Sequence, residues 1–114
     1  MTDRFRALAS ERGYWLIVMF DLSKRSRKKR QEAKIFVQNL KNEGFVALHQ
    51  STSAKYVFTR KAAILCAERV RKFFSENGKF TILRMTDKDF SKGFRLLKGR
   101  ETPMFSAPEL ISVV

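Results

Sequence analysis

Asp21 is the first residue of this chain with evident chemical potential. It closes the apolar run Trp15-Leu16-Ile17-Val18-Met19-Phe20 and is followed at once by Lys24, Arg25, Arg27, Lys28, Lys29 and Arg30. A carboxylate beside clustered cations is the donor set that phosphodiester chemistry uses. One carboxylate alone holds Mg²⁺ poorly, because the ion wants octahedral oxygen ligands and keeps much of its water. Two copies of Asp21 across a two-fold axis, joined by phosphate oxygens and water, would complete a phosphodiesterase site. Asp21 is thus a candidate metal ligand and catalytic residue. A carboxylate at a strand end also serves as a loop former or helix cap, and both roles remain open for it.

The six cations are candidate nucleic-acid-binding residues. Positive charge at a helix start opposes the macrodipole, at a cost of a few tenths of a kcal/mol per cation, so something else must favour the cluster. Phosphate contacts are that something, and they imply backbone recognition with weak sequence preference. Other chemistries lack their residues. Cys66 and His49 each stand alone, which excludes zinc-ligand spacing, and no Gly-rich phosphate loop is present. His49 reads as a hydrogen-bonded strand residue rather than a general base, since no catalytic partner accompanies it. Tyr14 and Trp15 open the central strand and read as packing.

Composition supports a polyanion partner. The 114 residues carry a formal net charge of +13, well beyond the magnitude of roughly 2 to 8 that serves solubility. With many aromatics, that excess points to nucleic acid. No helix offers a long Lys/Arg face opposite a Trp/Phe/Leu face, so membrane-surface binding is disfavoured. No apolar run approaches the ~20 residues of a membrane helix, and the polar segment from Met1 to Arg12 is neither signal peptide nor anchor. The lone cysteine fits a reducing, cytoplasmic setting.

The elements that must position Asp21 follow from periodicity. The run from Trp15 to Asp21 reads as a strand with both faces covered, one by the chain's own helices and one by an identical subunit. Ser26 caps a helix whose stripe is Ala33, Phe36, Val37 and Leu40, ended by Gly44. Strands follow at 45–50 and 55–59, with a turn or bulge at Ser51-Thr52-Ser53. Thr59 caps a second helix with a stripe of Ala62, Leu65, Cys66, Val70 and Phe73, ended by Asn77-Gly78. A fourth strand spans 80–85, a short turn capped by Thr86-Asp87 runs through Phe90, and 93–97 returns as a fifth strand. This order predicts an α+β fold, the ferredoxin-like βαββαβ plan with an additional C-terminal strand, as a homodimer. A leader (1–13) precedes the domain (14–98). The arm (99–114) is extended by Pro103 and Pro108, and its apolar end at Leu110, Ile111 and Val113 is a candidate partner-binding strand.

Taken together these stretches resemble the smaller of the two universal CRISPR adaptation proteins, the CRISPR-associated Cas-two family. The matching residues are Leu16 to Asp21, Asn42-Glu43-Gly44-Phe45, His49-Gln50 and Met85 to Phe90, within about residues 14–98. The resemblance implies a homodimer with Mg²⁺ between paired aspartates, here Asp21. It also implies a role in spacer acquisition: binding duplex DNA and bridging dimers of the adaptation integrase, which the tail would touch. Some members are described as metal-dependent nucleases on single-stranded RNA or duplex DNA. Ser51-Thr52-Ser53-Ala54 and Ser23-Lys24 depart from the family pattern, and the shortage of auxiliary carboxylates favours a scaffold over an enzyme. The alternatives are a toxin-like, metal-dependent endoribonuclease and an RNA-recognition module, for which Tyr56-Val57-Phe58 is a partial match.

Overall fold

The computed structural model describes residues 13–74 and 78–104. The elements in chain order are β1 (Tyr14–Leu22), α1 (Arg27–Asn42), β2 (Val46–His49), β3 (Thr52–Val57), α2 (Arg60–Arg71) and β4 (Gly78–Thr86). After them come a short α3 (Asp87–Ser91), β5 (Phe94–Leu97) and β6 (Arg100–Pro103). The main sheet has the order β2-β3-β1-β4, and each neighbouring pair is antiparallel. This is the expected ferredoxin-like arrangement, with β1 in the interior and α1 and α2 on one face. β5 and β6 form a separate antiparallel ribbon.

Both long helices start and stop as the sequence dictates. Ser26 Oγ accepts from Lys29 N at 3.1 Å, and Thr59 Oγ1 accepts from Ala62 N at 3.0 Å. Each cap satisfies one donor that the helix itself cannot pair. At the end of α1, Gly44 takes φ +93°. Phe45 N then donates to Leu40 O at 3.0 Å and Gly44 N to Lys41 O at 2.9 Å. That is a Schellman closure, and Phe45 and Leu40 both join the core.

Alternation along β1 sends Leu16 and Val18 under the helices, where they pack with Phe36, Leu40, Phe45, Val57, Ala63, Cys66 and Val70. Two expectations for α2 change. Leu65 is 50% exposed and Ala63 is buried in its place. The helix also ends at Arg71, before Asn77-Gly78, and Gly78 instead opens β4. Glu43 ties this layer together by accepting from Arg69 Nε at 3.1 Å, with Lys55 Nζ at 4.0 Å. Hydrogen bonding to Glu43 raises the Arg69 pKa, while burial pushes the Cys66 thiol up.

The second face of β1 is only half covered, and by the chain itself. Trp15 stacks on Phe90 of α3 with ring centroids 4.3 Å apart, and Ala54 and Tyr56 complete a second small core. Trp15 Nε1 donates to Asp87 Oδ1 at 2.7 Å, and Asp87 N donates to Gly13 O at 3.0 Å. Burial, then the nearby Asp87 charge, raises the Tyr56 phenol above its ordinary range. Further along the strand, Met19 is 38% exposed, and Leu83, which pairs with Ile17 on the same face, is 42% exposed. Beyond α3, this face of β1 stays partly open within one chain.

Smaller corrections concern the edges. β3 starts at Thr52, so the turn falls at Gln50-Ser51 and the register irregularity lies between Ala47 and His49. β5 pairs with β6 rather than joining the main sheet. Part of the expected arm is thus a strand, joined through Lys98 (φ +51°) and Gly99 (φ +78°), the two positive φ values of a type I′ turn. Residues 105–114, including Leu110, Ile111 and Val113, lie outside the described residues, as do 1–12.

Replacing Asp87 with Ala leaves the buried Trp15 N–H without its acceptor. The expected loss is about 1–3 kcal/mol of unfolding free energy. Urea titration followed by tryptophan fluorescence measures it, and a loss under about 0.5 kcal/mol would mean the bond adds nothing net.

Candidate nucleic-acid interface

β1 delivers Asp21 to the end of the sheet where α1 begins. Its register partner on β4 is Lys79, and Leu22 faces Gly78. Asp21, Ser23, Lys24, Arg25, Lys29, Gly78 and Lys79 line one open groove. Within it Arg25 N donates to Ser23 Oγ at 3.4 Å. Arg30 Nη1 donates to the Lys24 carbonyl at 3.2 Å, so Arg30 holds the loop rather than lining the groove.

The structure therefore divides the six cations of the 24–30 cluster. Lys24, Arg25 and Lys29 share the groove with Asp21. Arg27, Lys28 and Arg30 are exposed on the first turn of α1, outside its lining. Lys79 joins the groove from β4. No local pattern marks it, because only the β1–β4 register brings it beside Asp21. His49 borders a different depression, with Leu48, Phe94, Arg95 and Met104, and does not meet Asp21.

Asp21 is exposed, and no ion pair to it forms among the described residues. No group of three or more His, Cys, Asp and Glu side chains is placed to hold a metal among those residues either. Among the described residues, the groove thus holds one carboxylate, Asp21, among cations. Gly78 limits the backbone there. A Cβ at that position would stand 2.6 Å from Leu22 Cδ2 and 2.8 Å from the Asp21 carbonyl oxygen.

Fold and groove define a ferredoxin-like α+β protein with a strongly basic face around one carboxylate. No family model matches the chain. A curated relative from Flavobacterium psychrophilum, the CRISPR-associated endoribonuclease Cas2, is 31% identical over 88 residues, covering 77% of this chain and 76% of that one. A second protein of the same name, from Ligilactobacillus salivarius, is 29% identical over 76 residues, covering 67% and 75%. The chain belongs to the CRISPR-associated Cas2 family. No helix among the described residues is long and apolar enough to cross a membrane.

Gly78→Ala forces the β1–β4 ladder apart at Asp21. The expected cost is about 1–3 kcal/mol, with the largest backbone amide shifts in an NMR spectrum at Asp21 and Leu22. Shifts spread evenly over the sheet would show that Gly78 does not set the position of Asp21.

Proposed function

We propose that this protein acts in CRISPR adaptation as a homodimer that binds duplex DNA and bridges dimers of the adaptation integrase, with at most weak Mg²⁺-dependent endonuclease activity. The observation that carries this reading is that Asp21 lies on the same face of β1 as Ile17 and Met19. That face is the one the chain leaves partly open, with Met19, Leu83 and Val46 exposed. A second copy packed sheet to sheet covers these apolar side chains and brings two Asp21 carboxylates to one seam, flanked by the cations of both grooves.

Mg²⁺ suits this seam by donor type, since Asp21 offers the hard carboxylate oxygen that the ion takes. The remaining ligands would come from the second Asp21, phosphate oxygens and water. Bound there, the ion would neutralise phosphate charge and acidify a water molecule. Lys24, Arg25, Lys29 and Lys79 hold the phosphate backbone in place. The integrase contact is assigned to the apolar segment of Leu110, Ile111 and Val113, on the strength of the family resemblance.

A second reading, a metal-dependent endoribonuclease acting on single-stranded RNA, is favoured by the relatives, both of which are named as endoribonucleases. An RNA-recognition module is disfavoured, because Trp15 and Tyr56 on the central strands lie buried beneath α3 and cannot stack on bases.

The decisive experiment incubates wild type and Asp21→Ala with labelled duplex DNA and single-stranded RNA, in Mg²⁺ and in chelator. The scaffold reading expects both proteins to retain duplex, with little cleavage and a salt slope of about −0.9 per phosphate neutralised. Lys24→Ala and Lys29→Ala should each flatten that slope by about one. Metal-dependent RNA cleavage lost only in Asp21→Ala would select the endoribonuclease instead. Leu83→Glu tests the dimer. It should sediment as a folded monomer where wild type sediments as a dimer, and an unchanged dimer would place the interface elsewhere.

A further inference from the structure

The loop between β1 and α1 carries two of the cations that line the Asp21 groove, Lys24 and Arg25, and both are exposed. Exposed connecting loops are usually the mobile parts of a fold. The peptide that joins these two residues is nevertheless held at both poles. Its carbonyl, that of Lys24, accepts from Arg30 Nη1 at 3.2 Å. Its N–H, that of Arg25, donates to Ser23 Oγ at 3.4 Å, the longer of the two bonds. Arg30 stands one turn into α1, where its backbone N–H donates to the Ser26 carbonyl at 3.0 Å and fixes the root of its side chain. Side chains on a helix lean back towards its N-terminus, which carries a long one at this position over the preceding loop.

We propose that Arg30 is a positioning residue for phosphate binding: it presets the Lys24–Arg25 peptide, so that both cations meet a phosphate backbone from a loop already ordered. This deepens the proposed nucleic-acid function and rests on it. The plane of a peptide is rigid, so holding it fixes the directions in which the flanking residues leave it. A loop ordered only on binding lowers affinity by about fivefold for each backbone residue that must be fixed. Arginine suits the task, since its planar guanidinium keeps its charge and holds its donors in a rigid fork. Helix stability does not account for the residue. A cation so near the helix start opposes the macrodipole, and folding alone favours a neutral or acidic side chain there. Stability and binding thus make opposite demands at this one position, which separates a positioning role from a structural one.

The test measures anisotropy of the full chain with fluorescein-labelled duplex DNA at one salt concentration. It compares wild type, Arg30→Ala, a variant carrying Lys24→Ala with Arg25→Ala, and the triple variant. Expected for Arg30→Ala is binding about fivefold weaker than wild type. In the background without Lys24 and Arg25, the same change should weaken binding by less than about twofold, because the residues it acts through are gone. The Tm of Arg30→Ala should be unchanged or higher. In the free protein, backbone order parameters at Lys24 and Arg25 should fall from about 0.85 to below about 0.6. Equal factors in the two backgrounds overturn the proposal and make Arg30 an independent phosphate contact. A lowered Tm accompanying the loss overturns it in favour of a structural role, and unchanged order parameters overturn the brace whether or not DNA binds. Order parameters that fall as expected, with no salt-dependent binding of duplex by wild type, would instead overturn the nucleic-acid reading itself.

Discussion

The hydrogen bond from Trp15 Nε1 to Asp87 determines how the central strand is shared between the protein's own core and the world outside. β1 has two apolar faces, and a chain of this length has helices enough for one of them. The buried Asp87 holds α3 against the first half of the second face, so Phe90 lies flat on Trp15. Past Ile17 the strand's second face opens, with Met19 38% exposed, and it ends in the exposed Asp21. The boundary between a closed core and an open surface thus falls within one strand. A hydrogen bond to a carboxylate is among the stronger kinds, which suits a contact that must fasten a helix of five residues.

Charge is arranged with similar economy at the two long helices. Neither α1 nor α2 has an acidic residue in its first turn, and both begin with cations. The macrodipole is opposed at both N-termini, and side-chain caps at Ser26 and Thr59 offset part of that cost. Such a pattern is hard to explain by helix stability alone. It fits the proposed binding of a nucleic acid, where counterion release would offset that cost. Arg30 shows that not every cation in the cluster serves the surface directly, since it braces the Lys24 loop from within.

Much of this was legible in the sequence because it is local. The apolar run, the caps at Ser26, Thr59 and Thr86, and the glycine stop at Gly44 are decided within a few residues. What escaped was set by distance. On α2, both Leu65 and Ala63 fit a helical stripe, and tertiary packing chose the smaller side chain where the helix approaches the sheet closely. Lys79 entered the groove through strand register, which no single segment encodes. The β5–β6 turn was hidden because Lys98 occupies a left-handed position usually given to Asn, Asp or Gly. The half-covered face of β1 was missed because an unbroken apolar run cannot say which of two faces a short downstream helix will reach.

Cys66 is completely enclosed on the inner face of α2 and is the chain's one cysteine. Enclosure and the raised thiol pKa together deprive it of thiolate and of access to reagents. The natural chain is therefore already a silent background for thiol chemistry. A cysteine introduced at any exposed position would take up a spin label, fluorophore or crosslinker alone, with no need to remove the native one and disturb the packing around Val70. Whether two copies pair as proposed, and whether a strand enters the groove, thus becomes a distance measurement in a protein altered at a single surface residue.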